Sequence, residues 1–255
     1  DSAPSTPVKS KAPMKKRRSP SPEWPVSPFG MEYSEQMLER VTAFSRMCDE
    51  KSNRFGFTQT PKSVRWGLQE TGLDDVLCYN GHPVIFFLVG EVENASFFDE
   101  HKNPQKYVRI AVKPMFHADL AAAHNLLKVY SHNVKKRDDL QYGVVEAARR
   151  QAKRTRTSKT TEAYEFRNVF DASEKYGPKS IMPTLSAWDI MYRDLVLVEC
   201  KLVRFRVDAE TGKAVYNSGW VSWRARYDIV SVCRLQQGTD DVDSPSENDE
   251  NVPVM

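Results

Sequence analysis

Two groups of residues have types and spacing that suit chemistry. The first is Glu199-Cys200-Lys201, which follows the apolar run Leu195-Val-Leu-Val. Strand alternation puts Glu199 and Lys201 on the same side. In metal-dependent phosphodiester cleavage, carboxylates hold Mg²⁺ and a lysine stabilises charge at the phosphate. A second acid is needed, and Asp171 and Asp189 are the upstream candidates. A cross-strand charge pair on a sheet surface explains the same residues without catalysis.

The second group is the cationic run from Glu146 to Lys159, Glu-Ala-Ala-Arg-Arg-Gln-Ala-Lys-Arg-Thr-Arg-Thr-Ser-Lys. Read as a helix, it has a thin apolar stripe of Val145, Ala148 and Ala152. Arg149, Lys153 and Arg156 flank the stripe, while Arg150 and Arg154 point away from it. The helix should fray into a basic loop that ends at Lys159. Such an element can grip phosphates, and six displaced counterions would give a log–log salt slope of about −5. A solvated helix face is the competing explanation. Arg224 and Arg226, on a later strand, are candidate helpers.

Other chemistry finds little footing. His117 and His124 lie seven apart, with no carboxylate or thiol placed beside them, so no metal site is expected. Cys48, Cys78, Cys200 and Cys233 are far apart and form no Cys-x-x-Cys; Cys200 and Cys233 read as core residues. No glycine-rich phosphate loop, Gly-x-Ser-x-Gly or His-Glu-x-x-His is present. No cofactor is expected, apart from Mg²⁺ if the Glu-x-Lys is a nuclease site. No apolar run is long enough to span a membrane, and no signal-peptide pattern appears. The reduced thiols suit an intracellular protein.

The net charge of +3 conceals segregation along the chain. The first residues are rich in Pro, Ser and Lys, and Lys15-Lys16-Arg17-Arg18 resembles a nuclear localisation cluster. Ser19, Ser21 and Ser27 each precede Pro, as proline-directed kinases prefer; a phosphate there would add about −1.5 to −2 charges and weaken the cluster. The last residues carry Asp240, Asp241, Asp243, Glu247, Asp249 and Glu250 with no basic residue. The expected organisation is a disordered basic tail over 1–28, one domain over 29–236 and a disordered acidic tail over 237–255.

These groups need elements to position them. Ser34 can cap a helix running to about Glu50, with Met37, Leu38, Val41, Phe44 and Cys48 on one stripe. Thr60-Pro61 can start a second helix through Val64 and Leu68, closed by Gly72. Val84 to Val89 reads as a strand buried on both faces, and Tyr107 to Val112 as a shorter strand. Met115 to Val134 has helical spacing, and Ser186 opens a short helix through Tyr192. Leu195–Val207 and Gly219–Cys233 form the strongest hairpin signal, with Gly212 free for positive φ in the loop. A turn near Glu210 and Thr211 would set Val198 opposite Trp223 and Cys200 opposite Val221, with Trp223 as a buried anchor. In that register Arg204 and Arg206 face away from Arg224 and Arg226.

Four stretches resemble a domain family of mushroom-forming (basidiomycete) fungi without an assigned activity. They are Pro28-Phe-Gly-Met-Glu-Tyr, Lys113-Pro-Met-Phe-His-Ala-Asp-Leu, Ala152-Lys-Arg-Thr-Arg-Thr-Ser-Lys and Gly219-Trp-Val-Ser-Trp-Arg-Ala-Arg-Tyr-Asp. The resemblance covers about Phe29 to Leu235. It implies a single fungal domain with variable ends and supplies no catalytic residues.

The expected fold is α+β, a largely antiparallel sheet built on the long C-terminal hairpin with helices packed on one face. The leading functional expectation is a nuclear module that binds DNA or RNA through Arg149, Arg150, Lys153, Arg154, Arg156 and Lys159, helped by Arg224 and Arg226. The alternatives are a metal-dependent nuclease using Glu199 and Lys201, and a scaffold whose charge blocks contact proteins.

Overall fold

A computed structural model describes residues 23–134, 143–154, 161–216 and 219–239. Five long strands organise the protein: β1 (Ile85–Phe98), β2 (Pro104–Pro114), β3 (Val145–Arg150), β4 (Leu195–Arg206) and β5 (Trp223–Gln236). Hydrogen bonding runs β1-β4-β5-β3-β2, and β2 returns to β1, so the sheet closes into a barrel. Four of these pairings are antiparallel, and β3 with β5 is parallel.

Closure depends on β1 changing partners along its length. Phe86–Glu91 pair with Cys200–Leu195 of β4, and Gly90–Phe98 pair with Pro114–Pro104 of β2. Gly90 stands at the changeover, opposite Val196 on one side and Pro114 on the other. A Cβ there would lie 2.1 Å from the Lys113 carbonyl oxygen, so only glycine lets β2 come this close. Past Gly90, register shifts between Val92 and Asn94 and between Ser96 and Phe98 tighten the coil.

Alternation fills the interior. Phe86, Leu88 and Val92 meet Val108, Ile110 and Val112, Val145 and Ala147, Val196, Val198 and Leu202, and Tyr227 and Ile229 in one buried cluster. Helix α2 (His117–Val129) adds Ala123, Leu126 and Leu127, and the fully buried Tyr227 donates its hydroxyl to the Ala123 carbonyl at 2.8 Å. Helix α1 (Glu35–Ser45) begins at Ser34, whose side chain accepts from Met37 N. It packs Met37, Val41 and Phe44 on a second cluster outside the barrel, with Phe87, Val89, Leu195, Leu197, Cys233 and Leu235. Parts of β1 and β4 are therefore buried on both faces, which is why both read as unbroken apolar runs.

The structure corrects the expected α+β class. Among the described residues the structure is mostly β, 41% strand against 16% helix, with two α-helices and a mixed sheet. Besides β3 with β5, Arg54–Gly56 pairs parallel to β1 and Val169–Asp171 parallel to β5. The hairpin exists but in another register: Val198 faces Val232, Cys200 faces Ile229 and Trp223 faces Arg206. The turn at Asp208–Lys213 is tight and Gly212 has φ +66°, but after the Val207–Ala214 bridge the chain runs on before β5 begins. That added length displaces the pairing. Thr60–Gly72 forms no α-helix; it holds the short strand Arg65–Trp66 and a 3-10 turn, Gln69–Thr71, closed by left-handed Gly72.

Gly90→Ala should cost about 3 kcal/mol, the upper part of the range for overpacking. Gly72→Ala, strained in φ but with open space around it, should cost only about 1 kcal/mol. Midpoints of urea unfolding check the order; equal losses would contradict the role given to Gly90.

Candidate nucleic-acid interface

The cationic run is not a helix. Val145–Arg150 is β3, and Ala152–Arg154 pairs with Thr161–Ala163 in a small hairpin beyond it. Alanine and arginine favour helix locally, but β3 is held between β2 and β5, and tertiary pairing overrides that preference. The change of period from 3.6 to 2 separates residues that a helix would have grouped.

Arg149 is committed to the barrel. β3 and β5 share one registered pair, Ala147 with Tyr227, so the seam opens beyond it. Arg149 Nη1 spans that opening to the Ile229 carbonyl at 2.7 Å. Asp228 lies in the same region; burial raises its carboxyl above the usual range, although Arg149, Arg226 and Lys201 pull the other way.

Arg150 is exposed and sits across from Tyr107 of β2. Lys153 is also exposed, with its ammonium 5.1 Å from the Tyr164 ring centre. Arg154 ends its short strand, while Arg156 and Lys159 lie outside the described residues. Arg224 packs against Gly212, and Arg226 lies 5.5 Å from the Phe205 ring centre. Arg204 and Arg206 do face away from them, on the strand side of Ala225 and Trp223.

The structure adds Lys106, Tyr107 and Arg109, which reading the sequence for charge runs missed. Val108, Ile110 and Val112 point into the barrel, so Tyr107 and Arg109 point out. Tyr107 is 46% exposed, a large aromatic surface for a sheet residue. Around it lies a groove of about 710 Å³ formed by Asn94 and Ser96 of β1, Arg109 of β2, Glu146 of β3 and Asp99 of the β1–β2 loop. The signal was present in Tyr107-Val-Arg109-Ile-Ala-Val, an aromatic and a cation on the wet side of an alternating strand.

Two packed clusters stand at opposite ends of these strands. At one, the Asp99 carboxylate accepts from the Asn103 backbone and side-chain amides and from His101 N, and these bonds, Asn103 N foremost, hold its pKa below the usual range. Lys102 in this turn lies over Trp188 at 4.9 Å, and Trp188 packs edge-on against Phe98. At the other end, Arg204 stacks 4.0 Å from the Trp220 ring centre and 4.9 Å from those of Trp66 and Trp223. Arg204 Nε donates to the Asp74 carbonyl and Trp220 Nε1 to the Asp74 carboxylate, each at 2.8 Å. Trp223 is thus a half-buried part of a cation–aromatic stack rather than an interior anchor.

Glu199 and Lys201 keep the same side of β4, because the extra residue of the nearby bulge belongs to β5. Glu199 is 3% exposed and pairs with Lys179 at 2.8 Å, while Tyr176 donates its hydroxyl at 2.5 Å. Lys201 faces Asp228 across the strands. Neither proposed second acid joins Glu199: Asp171 pairs with Arg234 at 3.6 Å, and Asp189 accepts from Ser186 N. Among the described residues, no group of three His, Cys, Asp or Glu could hold a metal ion.

The strand order β1-β2-β3-β5-β4, closing back to β1, defines an OB-type barrel. No family model matches the chain, and no curated protein matches it. Among solved structures it is similar to gp2.5, a single-stranded DNA-binding protein encoded by bacteriophage T7. The identity is 13%, the match covers 68% of this chain and 99% of that one, and the TM-score is 0.38. The barrel class stands on the strand pairing itself. No helix among the described residues is long and apolar enough to cross a membrane.

The Glu199–Lys179 pair gives a pH signature. Burial pushes the Glu199 carboxyl up, but Lys179 and the Tyr176 hydroxyl outweigh it, and the net shift is downward from 4.5. A depressed acid stabilises the fold above its unfolded pKa, and this is lost as pH falls through the lower folded value. In Lys179→Met, burial keeps raising the carboxyl and only hydrogen bonds such as that from Tyr176 still oppose it, so the depression is lost. The stability gap between wild type and Lys179→Met should be widest near neutral pH and narrow as pH falls below about 4.5. Urea unfolding at pH 7 and pH 4 checks this; a gap that does not change with pH would contradict it.

Proposed function

We propose that the protein binds single-stranded nucleic acid across the outer face of β2 and β3. One observation carries the reading: an exposed Tyr107 ring beside Arg109 and Arg150 on that face of an OB-type barrel, with Lys106 lining the end of the same groove. In barrels of this class the same face and the flanking loops take oligonucleotides or oligosaccharides. A cationic surface favours the polyanion.

The chemistry suits an unpaired strand. Bases in a duplex are stacked on one another and cannot lie on the Tyr107 ring, whereas a single strand can present them one at a time. Lys106, Arg109, Arg150 and Lys153 supply charge for the backbone, with Glu146 as a local opposing charge. None of these four cations has a carboxylate partner among the described residues. The Lys15–Arg18 cluster supports a nuclear setting. Compared with the basic helix expected from the sequence, the cationic surface moves from one segment to two neighbouring strands.

Four phosphate contacts would give a log–log salt slope of about −3 for a single strand. Arg109→Ala with Arg150→Ala should make that slope shallower by about 1.4. Tyr107→Ala should weaken binding by roughly 5- to 150-fold, the loss of one stacked base, while Tyr107→Phe retains most of it. Arg149→Ala should lower stability and leave the slope nearly unchanged. Fluorescence anisotropy with an oligonucleotide at several salt concentrations checks the affinities and slopes, and urea unfolding checks the stability of Arg149→Ala. Absence of binding at low salt, or unchanged affinity in Tyr107→Ala, would overturn the reading.

A further inference from the structure

Before α1, residues 23–33 lie as a strap against β1 and the end of β2. Val26 N donates to the Met115 carbonyl at 2.9 Å, and Glu23 accepts from His117 N at 3.1 Å. The centre of the strap is a turn at Ser27-Pro28-Phe29-Gly30, closed by Gly30 N to the Ser27 carbonyl, with Gly30 at φ +75°.

That turn is fastened to one carboxylate. Glu91 is fully buried, and its two oxygens accept from Ser27 Oγ at 2.5 Å, Phe29 N at 3.0 Å and Tyr33 Oη at 2.8 Å. Ser27 Oγ in turn accepts from Met31 N at 2.6 Å. Burial, helped by Glu91, pushes the Tyr33 hydroxyl far above its usual range, so it remains a donor. Glu91 directly follows Gly90, so the strap is tied to the corner where β1 changes partners.

We infer that Ser27 is a phosphorylation site for a proline-directed protein kinase, and that the phosphate releases the strap. Ser27 is half-buried, and Trp24, Val26 and Pro28 beside it are exposed, so the segment can be reached once it lifts. Ser27 Oγ attacks the γ-phosphorus of a nucleoside triphosphate, the β–γ bridging P–O bond breaks, the nucleoside diphosphate leaves, and the hydroxyl proton passes to the kinase base. The product replaces a donor by about two negative charges where the buried Glu91 carboxylate already stands. The hydrogen bond becomes a like-charge contact with little water to screen it. The nearby cations are already engaged: Lys113 pairs with Glu93 at 2.6 Å and lies over Phe29, and Arg193 stacks on Phe29 and Tyr192. This device does not depend on the nucleic-acid reading.

Hydrogen exchange on the full chain tests it, read at the Val26 and Phe29 amides. Ser27→Glu should lower their protection by more than about tenfold, and Ser27→Ala by much less. Adding Glu91→Gln to Ser27→Glu should restore protection to within about threefold of Ser27→Ala, because the repulsion is then gone. Incubation with a proline-directed kinase and ATP should place phosphate on Ser27 by mass spectrometry, faster in Glu91→Gln, where the strap is looser. Equal protection in Ser27→Glu and Ser27→Ala would reduce Ser27 to an ordinary hydrogen bond and overturn the inference. So would increased protection in Ser27→Glu, or no phosphate on Ser27 even in Glu91→Gln.

Discussion

A strand has two edges, and β1 uses them at different points along its length. Its first half bonds to β4 and its second to β2, and the two halves overlap at Gly90. The close approach of the Lys113 carbonyl makes that overlap possible only without a side chain. Closing a sheet requires such a point, because strands must tilt and stagger to meet. The groove over β1, β2 and β3 follows from the same coil. A flat three-stranded sheet would offer Tyr107 and Arg109 a plane, and the coiled one offers a concavity.

Burial separates structural cations from available ones. Arg149 satisfies a carbonyl at the seam, Arg204 stacks among three tryptophans, and Lys179 neutralises Glu199. Each sits where removing it would leave a buried acceptor or an empty stack. Arg109, Arg150 and Lys106 are exposed instead, on neighbouring strands around one aromatic ring. Counterions surround such charges and can be released, and that is the source of affinity for a polyanion. The fold thus assigns roles that charge counting along the sequence could not distinguish.

Several elements were legible because their signals are local. Ser34 caps α1, Ser186 forms a complete capping box with Asp189, and Gly212 takes positive φ. Ile85 to Val89 and the run at Leu195 lie in strands, with Val84 buried just before the first, and Cys200 and Cys233 are buried. β3 was not legible as a strand: Val145, Ala148 and Ala152 match a helical stripe as well as Val145 and Ala147 match a strand face. What decides is the pairing with Tyr107–Val112 and Tyr227, residues distant in sequence. The hairpin register failed for a related reason, since the tight turn at Gly212 lies inside a longer excursion. The groove residues were each visible as outward-facing positions, but their gathering depends on the return of β2 to β1.

The most direct test is photo-cross-linking of a bromodeoxyuridine-containing single strand to the full chain, with adducts located by mass spectrometry. Adducts should concentrate at Tyr107 and its neighbours on β2 and β3. A strand that binds and cross-links elsewhere, with Tyr107 unmodified, would contradict the account.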